Sequence, residues 1–361
     1  MSIAPSPARS GSASYRAMTF DRRTLLALPL AAGIAPAALL SDAAGQSATN
    51  GSASRGARLA GDPVWPPAER FALWPGIPAG APTPLPRPRP MITGRPGGYR
   101  DVQMRGVVQP EVGVFRAARP DGRAVLVCPG GGYSITSLRN EGIDVARVLN
   151  GFGITVFVLS YRMPGEGWAD RANVPLSDVQ RAMRLIRANA KRYAINPETL
   201  GVLGFSAGGH LAGSLEIHHG LEVYRPVDAA DRLSARPAFA GLMYAVSNMD
   251  PGRSHGGSRA QLLGPNPDPA MQVRYAIDRN LRSGDAPLFL VHAEDDDTVP
   301  VANSLDMLAA ARRVDIPVEA HILRRGRHGF GTRLPASSPG SLWPQLFDRW
   351  MREAIGPEVP L

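Results

Sequence analysis

The chain has 361 residues, of which 44% are hydrophobic and 20% charged, so it can bury one large core. Its formal net charge of +9 comes almost wholly from arginine. No basic run is interleaved with aromatic residues and no helix-turn-helix motif is visible, which argues against nucleic-acid binding. The single cysteine, Cys128, cannot form an internal disulfide, which neither excludes export nor supports a disulfide-stapled secreted fold.

The N-terminus carries the pattern of an export signal. Residues 19–27 resemble a twin-arginine signal, with Arg22 and Arg23 followed by two leucines. The apolar stretch at 25–40 is short for a membrane span and is followed by small residues suited to cleavage. We therefore predict a cleaved signal peptide at residues 1–44, a periplasmic or secreted protein, and no stable membrane association after cleavage.

Residues 45–98 are predicted to form a flexible, proline-rich arm. Glycine, serine and alanine dominate up to about residue 62, and prolines crowd residues 79–96. One globular domain is then expected at residues 99–361.

Within that domain, short apolar runs alternate with helical patterns. Strands are predicted at residues 124–128, 154–159, 200–203, 241–244, 287–292 and 317–322. Apolar residues recur at helical spacing in 176–186 and 343–351. This alternation predicts an α/β fold built on a parallel sheet with crossover helices. Residues 247–285 are polar and are expected to be irregular, as an insertion that caps a site and influences substrate choice.

Three glycines follow the first of these buried strands. Gly130, Gly131 and Gly132 let the backbone approach a ligand closely and point N–H groups at it. Three successive glycines are costly in conformational entropy and pack poorly, so a functional loop is favoured over a plain turn.

The sequence around Ser206 has the pattern of a nucleophile elbow. Gly204 and Gly208 flank the serine at the spacing that a sharp strand-to-helix turn requires. The helix is expected to begin near Ala207, so its free N–H groups and positive dipole end would face a developing oxyanion.

An acid and a base follow in the chain. Asp295, Asp296 and Asp297 occupy the loop after the predicted strand at 287–292, and His328 occupies the loop after 317–322. A serine hydroxyl needs a neutral imidazole to take its proton, and a carboxylate to fix the tautomer of that imidazole. His328 is the candidate base, and one of the three aspartates is the candidate acid.

Other histidines compete for the role of base. His210 lies in the helix after Ser206 and is expected to pack or hydrogen-bond there. His292 and His321 lie within predicted strands, which favours core positions. His255, in a polar glycine-rich loop, is the one rival to His328.

No metal or other cofactor is predicted. His218 and His219 are adjacent and would point in different directions on a helix. The acidic run at residues 294–297 lacks the ligand alternation and the glycine of a calcium loop.

Taken together, the motifs resemble the acetylxylan-esterase-like branch of the α/β-hydrolase superfamily. They are also similar to hormone-sensitive-lipase-type esterases and to the catalytic domain of prolyl oligopeptidases. The matching segments are residues 128–133, 159–162, 178–187, 204–208, 262–264, 292–296, 299–304 and 328–331. The resemblance implies an α/β-hydrolase fold, with a mostly parallel central sheet and helices on both faces, as the catalytic domain at 99–361. In this family the acid stands three residues before the valine of a Val-Pro pair, which selects Asp296.

The resemblance also implies an activity. It indicates a Ser206–His328–Asp296 triad that hydrolyses carboxylic esters through an acyl-enzyme, on small-molecule or carbohydrate esters such as acetylated xylan. The expected oxyanion donors are the N–H of Ala207 and that of Gly131 or Gly132. Three alternatives stay open: a peptidase or amidase related to prolyl oligopeptidases, a formamide hydrolase, and a non-catalytic extracytoplasmic binding module.

Overall fold

The structure is a computed structural model that describes residue 62 and residues 64–356. The predicted signal at 1–44 and the first part of the predicted arm lie outside the described residues.

The strands of the described chain are numbered in sequence order. They are β1 Arg70–Ala72, β2 Arg89–Thr93, β3 Asp101–Arg105, β4 Glu111–Phe115, β5 Ala124–Cys128, β6 Thr136–Ser137, β7 Thr155–Ser160, β8 Leu200–Phe205, β9 Ala240–Met243, β10 Leu288–Ala293 and β11 Val318–Leu323.

The α-helices are numbered in the same way. They are α1 Asp144–Asn150, α2 Asn173–Ala188, α3 Ala190–Tyr193, α4 Ala207–His218, α5 Gly256–Leu263, α6 Pro269–Tyr275, α7 Ile277–Asn280, α8 Ala302–Arg313 and α9 Trp343–Ala354. Among the described residues, none of these helices combines the length and hydropathy needed to cross a bilayer.

A mostly parallel sheet forms the centre of the domain, as predicted. Its strand order is β1-β4-β7-β5-β8-β9-β10-β11. The pairs from β7 to β11 are parallel, whereas β4 and β1 add antiparallel strands at one edge. A second sheet, of order β2-β3-β6, is antiparallel.

Helices cover both faces of the central sheet, which confirms the predicted α/β-hydrolase architecture. Side chains of a strand alternate between its faces: in β5, Leu126 belongs to one apolar cluster, whereas Val125 and Val127 belong to the other. The first cluster includes side chains of α2, α4 and α8. The second includes those of α1 and α9. Both faces of the sheet are thus buried, as parallel sheets require.

The segment predicted as an arm contributes to both sheets, so the central sheet begins before residue 99. Strand β1 pairs antiparallel with β4, and the N–H of Val114 donates to the carbonyl of Glu69 at 2.9 Å. Strand β2 lies at the edge of the smaller sheet. Pro90 is tolerated there because an edge strand leaves one row of N–H groups unused.

Residues 247–285 are less irregular than expected, because they form the short helices α5, α6 and α7. Side-chain caps start two of them: His255 accepts from the N–H of Ser258 for α5, and Asp268 accepts from the N–H of Ala270 for α6. Helices this short show too few turns for an apolar period to stand out in the sequence.

A buried ion pair on α2 holds the segment that follows β1 against that helix. The Asp178 carboxylate on α2 accepts hydrogen bonds from the Arg162 guanidinium, at 2.7 Å, and from the Trp74 indole, at 2.8 Å. The side chains of Arg162 and Asp178 are 3% and 0% exposed. Because Trp74 follows β1, this contact fixes the N-terminal strand against α2.

Removing the Asp178 carboxylate tests this anchor. Asp178→Ala leaves the buried Arg162 without its partner, so we expect the free energy of unfolding to fall by about 3–5 kcal/mol, measured by urea denaturation. The matched control, Asp306→Ala, removes an exposed ion pair with Arg253 and is expected to change the free energy by less than about 1 kcal/mol. Equal losses in the two variants would contradict the assignment.

Candidate active site

Ser206 lies on a tight turn between β8 and α4. Its backbone has φ 53° and ψ −121°, a conformation that residues other than glycine rarely adopt. The turn needs its glycines: a Cβ at Gly204 would lie 2.2 Å from the carbonyl oxygen of Gly208, and a Cβ at Gly208 would lie 2.1 Å from that of Cys128. The nucleophile elbow predicted from sequence is therefore present, with α4 beginning at Ala207 as expected.

The structure brings Ser206, His328 and Asp296 together. The Ser206 Oγ and the His328 Nε2 are 2.8 Å apart. The His328 Nδ1 lies 2.7 Å from the Asp296 Oδ2. Since a carboxylate only accepts, Nδ1 carries the proton and Nε2 is free to accept the serine proton. The three groups form the hydrogen-bonded line that general-base activation of a hydroxyl requires.

The Asp296 carboxylate is held ionised by its surroundings. Burial alone would raise its pKa, but hydrogen bonds from His292 and His328 and from the backbone N–H of Val299 lower the pKa well below its ordinary value. The His292 Nε2 lies 3.2 Å from the Asp296 Oδ2 and 2.9 Å from the Val299 carbonyl oxygen, whereas its Nδ1 lies 2.7 Å from the Ser304 Oγ. Nε2 therefore carries the proton, and His292 is a second imidazole donor to the carboxylate that pairs with His328.

The neighbouring aspartates have different positions. Asp295 accepts the backbone N–H groups of Gly326 and Arg327 at 2.7 and 2.8 Å, which fixes the loop that carries His328. Asp297 is exposed and contacts the hydroxyl of Thr298. Only Asp296, of these three, reaches His328.

The glycine loop packs directly on the serine. A Cβ at Gly130 would lie 2.9 Å from the Cβ of Ser206. Gly131 and Gly132 have φ angles of 128° and 64°, which suit glycine and turn the backbone over the end of β5. The N–H groups of Gly131, Gly132 and Ala207 have no hydrogen-bond partner within the described chain. These donors are available to an oxyanion.

A buried glutamate connects the loops of the site, and sequence reasoning missed it. The Glu141 carboxylate accepts from the N–H of Gly130 and from the Tyr244 hydroxyl, both at 2.8 Å. The same hydroxyl accepts the N–H of Gly331 at 3.1 Å, and the Tyr244 ring packs edge-on against His328. Burial raises the pKa of Glu141, although these hydrogen bonds oppose it. The network joins the glycine loop to the histidine loop.

The roles of Tyr244, His292 and Glu141 were not predicted from the sequence, and the three residues differ in how far the sequence could have indicated them. Tyr244 directly follows β9, at the edge of the sheet where the other functional loops begin, so its position is a usable signal. His292 likewise stands near the end of β10. Glu141 lies among polar neighbours in residues 139–144 and carries no distinguishing pattern.

The other histidines are placed as expected, except that His321 is half-buried on the edge strand β11, where its Nε2 lies 2.7 Å from Glu319 Oε1, and not in the core. His210 is fully buried, with the Tyr133 hydroxyl 2.8 Å from Nδ1 and the Tyr275 carbonyl 2.8 Å from Nε2. Burial lowers its pKa to about 4, so it is neutral and structural. His255 does not contact Ser206 but lies near the glycine loop. No cluster of three or more potential metal ligands occurs in the part of the chain that the structure describes.

Comparison with known sequences identifies relatives of this chain. The family model BD-FAE matches residues 117–310. The chain is 36% identical over 221 residues to an acetylxylan esterase of Xylanibacter ruminicola, a match that covers 60% of this chain and 43% of the relative. It is 35% identical over 206 residues to endo-1,4-β-xylanase B of Butyrivibrio fibrisolvens, covering 57% and 32%. The match thus spans less than half the length of either relative.

Solved structures of esterases and related hydrolases are also similar to this chain. An acetyl ester-xyloside bifunctional hydrolase from Caldicellulosiruptor lactoaceticus is 32% identical, with a TM-score of 0.64 over 80% of this chain and 97% of that one. The carboxylesterase Cest-2923 from Lactobacillus plantarum is 20% identical, with a TM-score of 0.56 over 75% and 100% of the two chains. The second likeness is one of fold.

Alanine substitutions in the acidic loop test which carboxylate serves His328. Asp296→Ala removes the acceptor from Nδ1, so we expect kcat for ester hydrolysis to fall by about 10⁴-fold. Asp297→Ala, at an exposed neighbouring position, is the matched control and should stay within about twofold of the parent. Assays with p-nitrophenyl acetate measure both. A large loss in Asp297→Ala with little loss in Asp296→Ala would overturn the assignment.

Proposed function

Because the chain belongs to the BD-FAE family, we propose that it is a serine esterase that hydrolyses carboxylic esters through an acyl-enzyme on Ser206. One observation carries the proposal. Ser206, His328 and Asp296 lie in a continuous hydrogen-bonded line, with contacts of 2.8 and 2.7 Å, at a turn whose strained backbone directs the Ser206 hydroxyl toward His328.

In the first half of the reaction, the Ser206 Oγ attacks the ester carbonyl carbon while the His328 Nε2 takes its proton. Asp296 stabilises the resulting imidazolium and remains ionised. The imidazolium then gives its proton to the departing alcohol oxygen, and the ester C–O bond breaks. A water molecule, deprotonated by the same His328, hydrolyses the acyl-enzyme and restores Ser206.

The oxyanion that forms during each attack needs hydrogen-bond donors already in place. We assign this role to the N–H of Ala207, at the start of α4, together with the N–H of Gly131 or Gly132. These groups are unpaired within the described residues, and the α4 N-terminus adds its positive dipole end. Such donors are commonly worth about 10²–10³ in kcat each.

The proposed substrates are short acyl esters, acetyl above all, on a carbohydrate such as xylan. The support comes from the relatives: an acetylxylan esterase and an acetyl ester-xyloside hydrolase, at 36% and 32% identity. We further propose export from the cytoplasm, on the twin-arginine pattern at residues 19–27.

Turnover by Ser206→Ala tests the proposed chemistry. Removal of the nucleophile should lower kcat for p-nitrophenyl acetate on the order of 10⁶-fold, and the parent should also release acetate from acetylated xylan. Ser337→Ala, at an exposed serine that is not a member of the triad, is the matched control and should keep the parent rate.

Near-parental turnover by Ser206→Ala would refute the proposed nucleophile. A parent protein that is folded by circular dichroism but hydrolyses neither ester would favour a binding module instead. Cleavage of aminoacyl amides in preference to both esters would favour a peptidase or amidase.

A further inference from the structure

His255 lies beside the glycine loop without belonging to the triad or to the core. It caps the start of α5, in the segment that follows β9. A Cβ placed on Gly132 would lie 3.8 Å from the His255 Cε1, so the imidazole borders the loop that supplies the proposed oxyanion donors. The ring is half-buried.

The tautomer of this ring is fixed by its helix-capping contacts. The His255 Nδ1 lies 3.2 Å from the backbone nitrogen of Ser258 and 2.8 Å from its hydroxyl oxygen. A backbone N–H can only donate, so Nδ1 must accept and therefore carries no proton. In the neutral ring the proton is then on Nε2. Burial, reinforced by the nearby His328, lowers the pKa of His255, which keeps the ring neutral.

The Nε2–H of His255 is a donor with no partner in the described part of the chain. Glycines keep space free around it: a Cβ at Gly257 would lie 3.0 Å from the ring Cε1 and 3.3 Å from Nε2. A half-buried donor without a protein acceptor is costly unless water or a ligand accepts from it.

The path of the proton in the reaction indicates which part of a substrate lies beside His255. His328 must pass its proton to the departing alcohol oxygen, so the alcohol part of the ester lies on the His328 side of Ser206. His255 is close enough to His328 and Asp296 for their charges to act on its pKa. Carbohydrate alcohols carry further hydroxyl and ring oxygens that can accept a hydrogen bond.

We propose that His255 positions the sugar part of the substrate by donating a hydrogen bond from Nε2–H to a hydroxyl or ring oxygen of the esterified carbohydrate. The inference rests on the proposed esterase function and adds a specificity-determining residue outside the triad.

Two amide variants separate the two edges of the imidazole. In His255→Asn the amide oxygen replaces Nδ1 and keeps the cap for Ser258, but no donor reaches the Nε2 position. In His255→Gln the amide nitrogen reaches the Nε2 position, but the cap is lost. The ratio of kcat/KM for an acetylated methyl xyloside to kcat/KM for p-nitrophenyl acetate measures the contact, because the nitrophenol carries no sugar hydroxyls.

We expect His255→Asn to lower this ratio about tenfold, mainly through KM for the xyloside, and His255→Gln to keep it within about threefold. Thermal denaturation should show the opposite order, with the lower Tm in His255→Gln because it loses the cap. If His255 had only a structural role, the variant with the lower Tm, His255→Gln, would also show the lower ratio.

An unchanged ratio in His255→Asn, whether kcat/KM falls equally for both esters or for neither, would overturn the inference while leaving the esterase proposal intact. Absence of turnover by the parent on both esters would refute the esterase proposal itself. The two failures are therefore distinguishable.

Discussion

The backbone conformation of Ser206 is the constraint on which the site depends. A φ of 53° at a residue between a buried strand and a helix is a strained conformation, and it persists only where the surrounding structure holds it in place. Here the close approach of α4 to the ends of β8 and β5 does so: a Cβ at Gly204 would collide with the Gly208 carbonyl, and a Cβ at Gly208 with the Cys128 carbonyl. That approach places the hydroxyl above the sheet and the free N–H groups of α4 beside it. Strain at one residue thus provides both the nucleophile and part of its oxyanion site.

The loops around Ser206 are held to one another as well as to the sheet. Glu141 joins the glycine loop to Tyr244, and Tyr244 joins the loop after β11 through the N–H of Gly331. Asp295 fixes that same loop from the end of β10. These ties between loops hold His328 at its short contacts to Ser206 and Asp296, which is the preorganisation that electrostatic catalysis requires.

Much of this arrangement could be predicted from local sequence, because strands, glycine turns and loop ends carry local signals. Strand β5 lies at the predicted bounds, and Ser206 and His328 were identifiable from their turns. The selection of Asp296 from three adjacent aspartates depended on family resemblance, since carboxylates in one loop look alike until the fold orients them. The contact of Glu141 with Gly130 and Tyr244, 11 and 103 residues away in sequence, leaves no local pattern. Strand β1 was hidden because three residues are too few to show a period.

The most direct test of the account asks whether Ser206 is activated in the folded protein. With p-nitrophenyl diethyl phosphate, the Ser206 oxygen would bond to phosphorus and p-nitrophenolate would leave. We expect about one equivalent of p-nitrophenolate and a diethylphosphoryl group mapped to Ser206 by peptide mass spectrometry, with both lost in His328→Ala. Labelling at another residue, or no labelling of the folded parent protein, would contradict the proposed triad.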